Sequence, residues 1–507
     1  MKIHTYNLPG RALACCAAAL LCSLPVQAAP AKKTTKKPAA AKKTSTPAKK
    51  STPAPKKESK PAPAKEEAQK APTGIAAHAQ FPTFMQHLEK MVKENSTDYY
   101  EAVSCVLAAT EGDETALNAW MHAAAQAGNA AALRWEISQK LADVKPEELL
   151  SASSKEAYQQ LVKLADKGYV PAMLDVGACL RMGIGTVKDE AAAQRKLMEA
   201  CKGGDMKARY QWLMSTKRLS AWEDKNKPEV ASEIERGNFY VINHLSSLSP
   251  DAATQVEWMK NAAGKGSGDA YLTLSSLASA DHPRESMTLL RLAVHLHHPE
   301  ALFVLASVLA DSGTATAFQQ QAGITPDAKE SLRLMKTAAL LGSLRATMAL
   351  GNAYYDGANG VEQDYKKAYF HFNSPLVSGS PAAATARALL QLQGLGVQQE
   401  TTKTLAMLGA LSQNYAPAAI ALAWAHYKGC GTKADAKAAA ELLKEAAANG
   451  APMAYIFLAY IYAKGGEGIP EDVAQAKRYV RLASLDMGDK AQQLYDALIV
   501  QEWIPHP

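Results

Sequence analysis

From residue 74 onward the chain repeats one arrangement of apolar and polar positions. An alanine is followed four residues later by a large apolar side chain, then by a small one, and at i+8 by an aromatic or aliphatic one. GYVPAMLDVGACLRMGIG (168–185), GSLRATMALGNAYYDGANG (342–360), YAPAAIALAWAHYKGCG (415–431) and GAPMAYIFLAYIYAKGGEG (450–468) follow it. Offsets i, i+4, i+5 and i+8 share one face of a helix with 3.6 residues per turn. A glycine turn comes next, then a second predicted helix ending in KTAALLG (336–342), KEAAANG (444–450) or RLASLDMG (481–488). No stretch alternates apolar and polar residues long enough to predict a strand.

The leading alanines are Ala172, Ala208, Ala270, Ala301, Ala346, Ala383, Ala418, Ala454 and Ala491. In the C-terminal half they recur about every 36 residues. The longer steps imply insertions near 215–250 and around 311–327 (DSGTATAFQQQAGITPD). Residues 120–135 and 161–168 read as degenerate upstream units. A lone helix pair cannot bury its stripe, whereas stacked pairs can, so the period predicts an all-α stack. It divides into irregular helical repeats over 74–330 and regular ones over 331–507. Small residues let neighbouring helices approach, and large ones fill the gaps.

The turn itself holds paired glycines: Gly183/Gly185, Gly357/Gly360, Gly394/Gly396, Gly429/Gly431 and Gly465/Gly468. An acidic residue lies four past the second glycine each time, at Asp189, Asp364, Glu400, Asp435 and Asp472. Asp there predicts an N-cap for the second helix. Glu400 fits less well, with Thr401 or Thr402 as the alternative cap. A phosphate loop follows a strand and leaves its helix N-terminus free for the anion. Here the turn follows a helix, and a carboxylate already occupies that end. Asp356 to Asp364 also lacks the alternating oxygen ligands of a calcium loop.

The pattern Ala-x-x-x-Leu-Gly-x-x-Tyr-x-x-Gly-x-Gly-Val-x-x-Asp-x-x-x-Ala resembles the Sel1-like repeat, a relative of the tetratricopeptide repeat. Ala346, Leu350, Gly351, Tyr354, Gly357, Gly360, Val361, Asp364 and Ala368 match it with one extra turn residue. Ala454, Leu458, Ala459, Tyr462, Gly465, Gly468, Ile469, Asp472 and Ala476 match nearly as well. The resemblance is close over 330–498, fair over 168–204 and only periodic elsewhere. It implies a right-handed α/α solenoid serving as an adaptor between proteins. If the registers correspond to a tetratricopeptide stack, the first helices line the concave groove. Positions −1, +2, +6 and +9 from the leading alanine then point into it, which selects Arg345, Asn352, Tyr355, Trp424, Tyr427 and Tyr460. Aromatic groups with polar tips suit peptide or glycan contact. The alternative is that Trp424 and Tyr460 pack between units.

Residues 1–28 have the layout of a secretory signal: Lys2 and Arg11, the apolar run Ala12 to Leu24, then Val26-Gln27-Ala28. The run has 13 residues, short of the ~20 a spanning helix needs. Residues 29–73 form a Lys/Ala/Pro-rich linker without aromatic or branched aliphatic residues, a composition that predicts disorder. This linker carries 13 Lys against 3 Glu, and Lys2 and Arg11 add two more positive charges. Of the chain's net +7, residues 74–507 therefore carry about −5. The basic character belongs to the tail. Export makes anionic envelope polymers or lipid head groups its expected partners rather than nucleic acid. The other reading is a spacer between the body and a surface.

Four cysteines, Cys105, Cys179, Cys201 and Cys430, follow the signal. Cys179 and Cys201 fall on the two predicted helices of one unit, where they either bridge or remain two buried thiols. No Gly-x-Ser-x-Gly, Walker-type, His-Glu-x-x-His or Ser-x-x-Lys motif occurs, and no catalytic residue is assigned. His295 and His298 in HLHHPE (295–300) are the best metal pair, but Pro299 interrupts the helix and no acidic or Cys ligand has matching spacing. The expectation is therefore a non-catalytic exported scaffold without metal or cofactor. The rival reading is a cell-envelope hydrolase or peptidoglycan-binding protein, with its activity in 205–300.

Overall fold

The computed structural model describes residues 74–142, 144–310 and 316–500. The signal-like segment, the Lys-rich tract and residues 311–315 of the second insertion lie outside them. Among the described residues the secondary structure is helical, apart from one isolated bridge between Gly466 and Ile469. No described helix is long and apolar enough to cross a membrane.

The helices pack as antiparallel pairs in chain order: Val170–Met182 with Glu190–Lys202, Leu344–Asp356 with Tyr365–Phe372, Ala416–Lys428 with Ala436–Ala448, and Pro452–Lys464 with Val473–Met487. This is an all-α, α/α solenoid. All nine leading alanines are fully buried, so the stripe marks the core. The carboxylate caps form as their chemistry requires. Asp189, Asp435 and Asp472 each accept one backbone N–H of the second helix at 2.8–2.9 Å, and Asp364 accepts two. Glu400 occupies the cap position without a side-chain hydrogen bond. The first helices have a cap of their own, three residues before the leading alanine. Ser267, Ser343 and Ser380 accept there from Ala270, Ala346 and Ala383.

Glycine is required in the turn for two reasons at once. Gly431 has φ +72°, and a Cβ on it would lie 2.4 Å from Thr401 Cβ of the preceding second helix. The turn is where one unit seats on the last.

The insertion at 215–250 is a further unit. A short 3-10 turn, Trp222–Asn226, leads into Pro228–Glu235 and Phe239–Ser247. Fully buried Val241 takes the place of the leading alanine. The second insertion holds the short helix Ala317–Ala322, started by a reciprocal Thr316–Gln319 capping box.

Cys179 and Cys201 are free thiols, so the disulfide considered for them does not form. The antiparallel pairing explains why. Cys201 ends the second helix next to Gly203, whose added Cβ would touch Val170 at 3.3 Å. Cys179 lies nine residues along from Val170, ~13 Å at 1.5 Å per residue. A disulfide spans Cα atoms no more than ~7 Å apart. Burial pushes both thiols up, Cys179 to about 12 and Cys201 to about 11.

First helices approach first helices: Met206–Ser215 meets Phe239–Ser247, Pro299–Leu309 meets Leu344–Asp356, and Pro381–Gln393 meets Ala416–Lys428. Among the described residues, second helices of successive regular units do not come as close. The more tightly spaced layer is the inner one. The stack also returns on itself, with Tyr100 stacked on His297 at 3.8 Å and Glu114 3.2 Å from His371.

Candidate partner-binding surface

On each first helix the buried offsets 0, +4, +5 and +8 centre on one direction. At ~100° per residue, offsets −1 and +6 point nearly opposite. These two positions form the ridge that faces the inside of the curve.

From Pro381 onward the +6 position of that ridge is filled. At offset +6, Leu389 is fully buried, Trp424 is 5% exposed and Tyr460 is 4% exposed. They share one core with Ala418, Ala421 and Leu422, against which Leu498 and Ile499 of the last helix also pack. The Ala-rich faces of Pro381–Gln393 and Ala416–Lys428 allow close approach, and the large +6 side chains fill what remains. Tyr427 is half-buried. Its ring stands edge-on to Tyr460 at 5.9 Å, and its hydroxyl donates to Gly465 O at 2.9 Å. Tyr355 is buried edge-on to Tyr365 at 5.5 Å. Packing between units therefore describes Trp424 and Tyr460, while Tyr355 packs on the second helix of its own unit.

Arg345 and Asn352 lie on Leu344–Asp356, the helix that also carries Tyr355. Arg345 is exposed. Its guanidinium lies over the Phe303 ring at 4.6 Å and 4.0 Å from Glu300 Oε2. Ser343 Oγ donates to the other oxygen of Glu300 at 2.7 Å. Asn352 is half-buried, one helical turn before the glycine reversal.

Upstream of Asn352 the inner ridge is open. At offset +6 stand Met214, Ser247, Ser276 and Ser307, all exposed. Each serine donates back to a carbonyl of its own helix: Ser247 to His244 at 2.7 Å, Ser276 to Leu272 at 3.2 Å and Ser307 to Phe303 at 3.0 Å. The lone pairs of those hydroxyls are left facing outward as acceptors. At offset −1 come Lys207, Tyr240, Asp269, Glu300 and Arg345. Tyr240 stacks with Tyr210 at 6.1 Å, and His244 lies 5.7 Å from Tyr210. Burial raises the Tyr240 hydroxyl above its ordinary range, helped by Asp205 and Asp269. Burial also lowers His244, which keeps it neutral near pH 7. His298, half of the candidate metal pair, caps the helix Pro299–Leu309. Its Nδ1 accepts from Ala301 N, so Nε2 carries the proton toward Asp269 Oδ1 at 2.9 Å.

The sequence reading missed Tyr210, Tyr240 and the serine row. Counting from Val241 as though it were the alanine would have found Tyr240 and Ser247. What the surface offers is stacking area, hydroxyl acceptors and a few paired charges.

This geometry defines an α-helical repeat scaffold with one open and one filled stretch of inner face. Five segments, 170–195, 299–343, 344–374, 416–450 and 452–485, match the family model of the Sel1 repeat, and the chain carries Sel1 repeats there. Such repeats typically serve as protein-interaction scaffolds. The 299–343 match spans the unit whose turn is lengthened by the insertion around 311–327. The chain is similar to c5321, a protective antigen present in uropathogenic Escherichia coli strains displaying an SLR fold. That match has 19% identity, 82% of this chain and 90% of that chain covered, and a TM-score of 0.41. A Sel1 repeat protein from Oxalobacter formigenes aligns at 20% identity over 46% of this chain and 91% of that chain, TM-score 0.35. The immunity protein Pa5087 from Pseudomonas aeruginosa aligns at 17% over 42% and 83%, TM-score 0.30. No curated protein matches the chain.

Proposed function

We propose that the protein is an exported, non-catalytic adaptor that holds a protein partner along the inner ridge between Met206 and Asp356. The observation that carries this reading is the change of that ridge along the chain. The same register that is packed shut at Leu389, Trp424 and Tyr460 is open at Ser247, Ser276 and Ser307, beside the Tyr210–Tyr240 stack. Tyrosines supply large contact area at little entropic cost, and exposed hydroxyl acceptors suit the N–H groups of a peptide segment. The signal-like N-terminus supports export. The Lys-rich tract would then meet anionic envelope polymers, or space the body from a surface.

The test is a pull-down from envelope extract with the full chain and the double variant Tyr210→Ala/Tyr240→Ala. Far-UV circular dichroism checks that the helices remain. The expected result is retained helicity with loss of a specific captured protein. Equal capture by both proteins would overturn the assignment of the ridge.

A further inference from the structure

The stack closes on itself through a contact that the repeat pattern does not require. In a solenoid each unit needs only its neighbours. Here residues 98–114 rest on units more than 190 positions away. Glu114 is fully buried at the centre, with Oε1 3.2 Å from His371 Nε2 and Oε2 3.2 Å from Lys336 Nζ. The Tyr354 hydroxyl also hydrogen-bonds to it. Lys336 Nζ donates to Gly112 O at 2.8 Å, and Lys367 Nζ lies 3.5 Å from Asp113 Oδ1. At the rim, His297 stacks on Tyr100 and places Nδ1 2.7 Å from Asp98 Oδ2. Acids on one side thus face cations and imidazoles on the other. The turn is shaped for this, with Glu111 at φ +52° and Gly112 at φ +85°.

The apolar part of the contact is thin. The N-terminal core and the core around Leu350 are separate clusters, joined at Tyr100, Leu340 and Leu341, and Ala130–Ala142 also touches the short turn Pro375–Val377. Consecutive regular units from Ala388 to Ile469, by contrast, share one continuous alanine- and leucine-rich core. Opening this contact would return its charged groups to water and break no bond between neighbouring units.

We propose that the contact between 98–114 and 294–371 is a latch: the closed ring is one of two states, and its release lets the N-terminal helices swing away while the repeats stay folded. The known repertoire of switches includes such rigid-body movements about a polar interface. Opening uncovers Lys336, Lys367 and His371, and it frees the curvature of the inner ridge.

Hydrogen exchange by mass spectrometry on the full chain, paired with small-angle X-ray scattering, tests this. Glu114→Ala removes the central carboxylate. His297→Ala removes only the rim stack and its ion pair, leaving no buried charge behind. The expected result for Glu114→Ala is exchange at least tenfold faster in 98–117 and 365–373. Protection over 416–488 should be unchanged, and the radius of gyration should rise. His297→Ala should speed 98–103 by a smaller factor. Unchanged exchange in 98–117 in both variants would overturn the latch. So would exchange rising evenly across 74–500 in His297→Ala. If Glu114→Ala does not fold, His297→Ala combined with Asp98→Asn decides, with local acceleration supporting the latch and no change refuting it.

Discussion

Replacing Gly351 with alanine sets two opposing effects against each other, and the structure says which wins. Gly351 is the small residue at offset +5 of Leu344–Asp356, in a helix interior. Helix propensity alone predicts a gain of ~1 kcal/mol for the alanine. A Cβ there would lie 2.4 Å from Cε1 of Phe372, with Cδ1 and Cζ at 2.7 and 2.8 Å. Carbon atoms rest at ~3.5–4.0 Å, so the ring must retreat by about 1 Å. Phe372 is fully buried in the core with Leu350, Ala368 and Leu390. Overpacking of this kind costs ~1–3 kcal/mol, which exceeds the propensity gain. A net loss of up to ~2 kcal/mol is expected, read as a lowered midpoint of urea unfolding followed by circular dichroism. Phe372→Leu should cost less in the Gly351→Ala background than alone, because the smaller side chain makes room for the methyl group. A coupling of at least ~1 kcal/mol in that cycle would tie the loss to this one contact. A raised midpoint for Gly351→Ala would refute the reasoning, since it would mean that the two helices are not pressed together at this residue.

Trp424→Ala should lower stability by ~3–5 kcal/mol, as for other buried aromatic residues, and thermal melting would detect it. Its effect on binding would follow from that loss. The Glu114 carboxyl is held down to about 2 by His371, Tyr354 and Lys336, against the opposing effect of burial. Its folded value lies below the ordinary 4.5, so its stabilisation is complete above pH 4.5 and lost as pH falls toward 2. At 1.36 kcal/mol per unit this amounts to ~3 kcal/mol, and Glu114→Gln should flatten that part of an acid titration. Asp435→Ala removes the cap on Ala438 N and should cost ~1 kcal/mol in the same urea assay. Peptide mapping of unreduced protein should find Cys179 and Cys201 unlinked; a linked peptide would contradict the helix offset that separates them.

The elements that could be read from the sequence are those set by local chemistry. Ala346, Leu350 and Tyr354 recur at helical spacing, and Asp364 stands where an N–H is free, so helix faces and caps follow within one unit. The Phe239–Ser247 unit was hidden because valine stands where alanine was expected and the turn glycines are absent. The fate of Trp424 and Tyr460 could not be read from their own helices. Their exposure depends on how closely the next first helix approaches, which is a property of the stack. The closure was least visible of all. Glu114 and His371 are 257 residues apart, and neither belongs to the repeat pattern that made the rest legible.

The most direct test of the account is site-specific photo-crosslinking of the full chain in envelope extract. The photoreactive residue is placed in turn at Ser276 and Ser307 on the open ridge, and at exposed Lys260 and Arg291 on second helices. The expected result is one discrete protein adduct from the two ridge positions and none from the outer pair. Adducts from Lys260 or Arg291 alone, or none from Ser276 and Ser307 while the outer positions react, would contradict it.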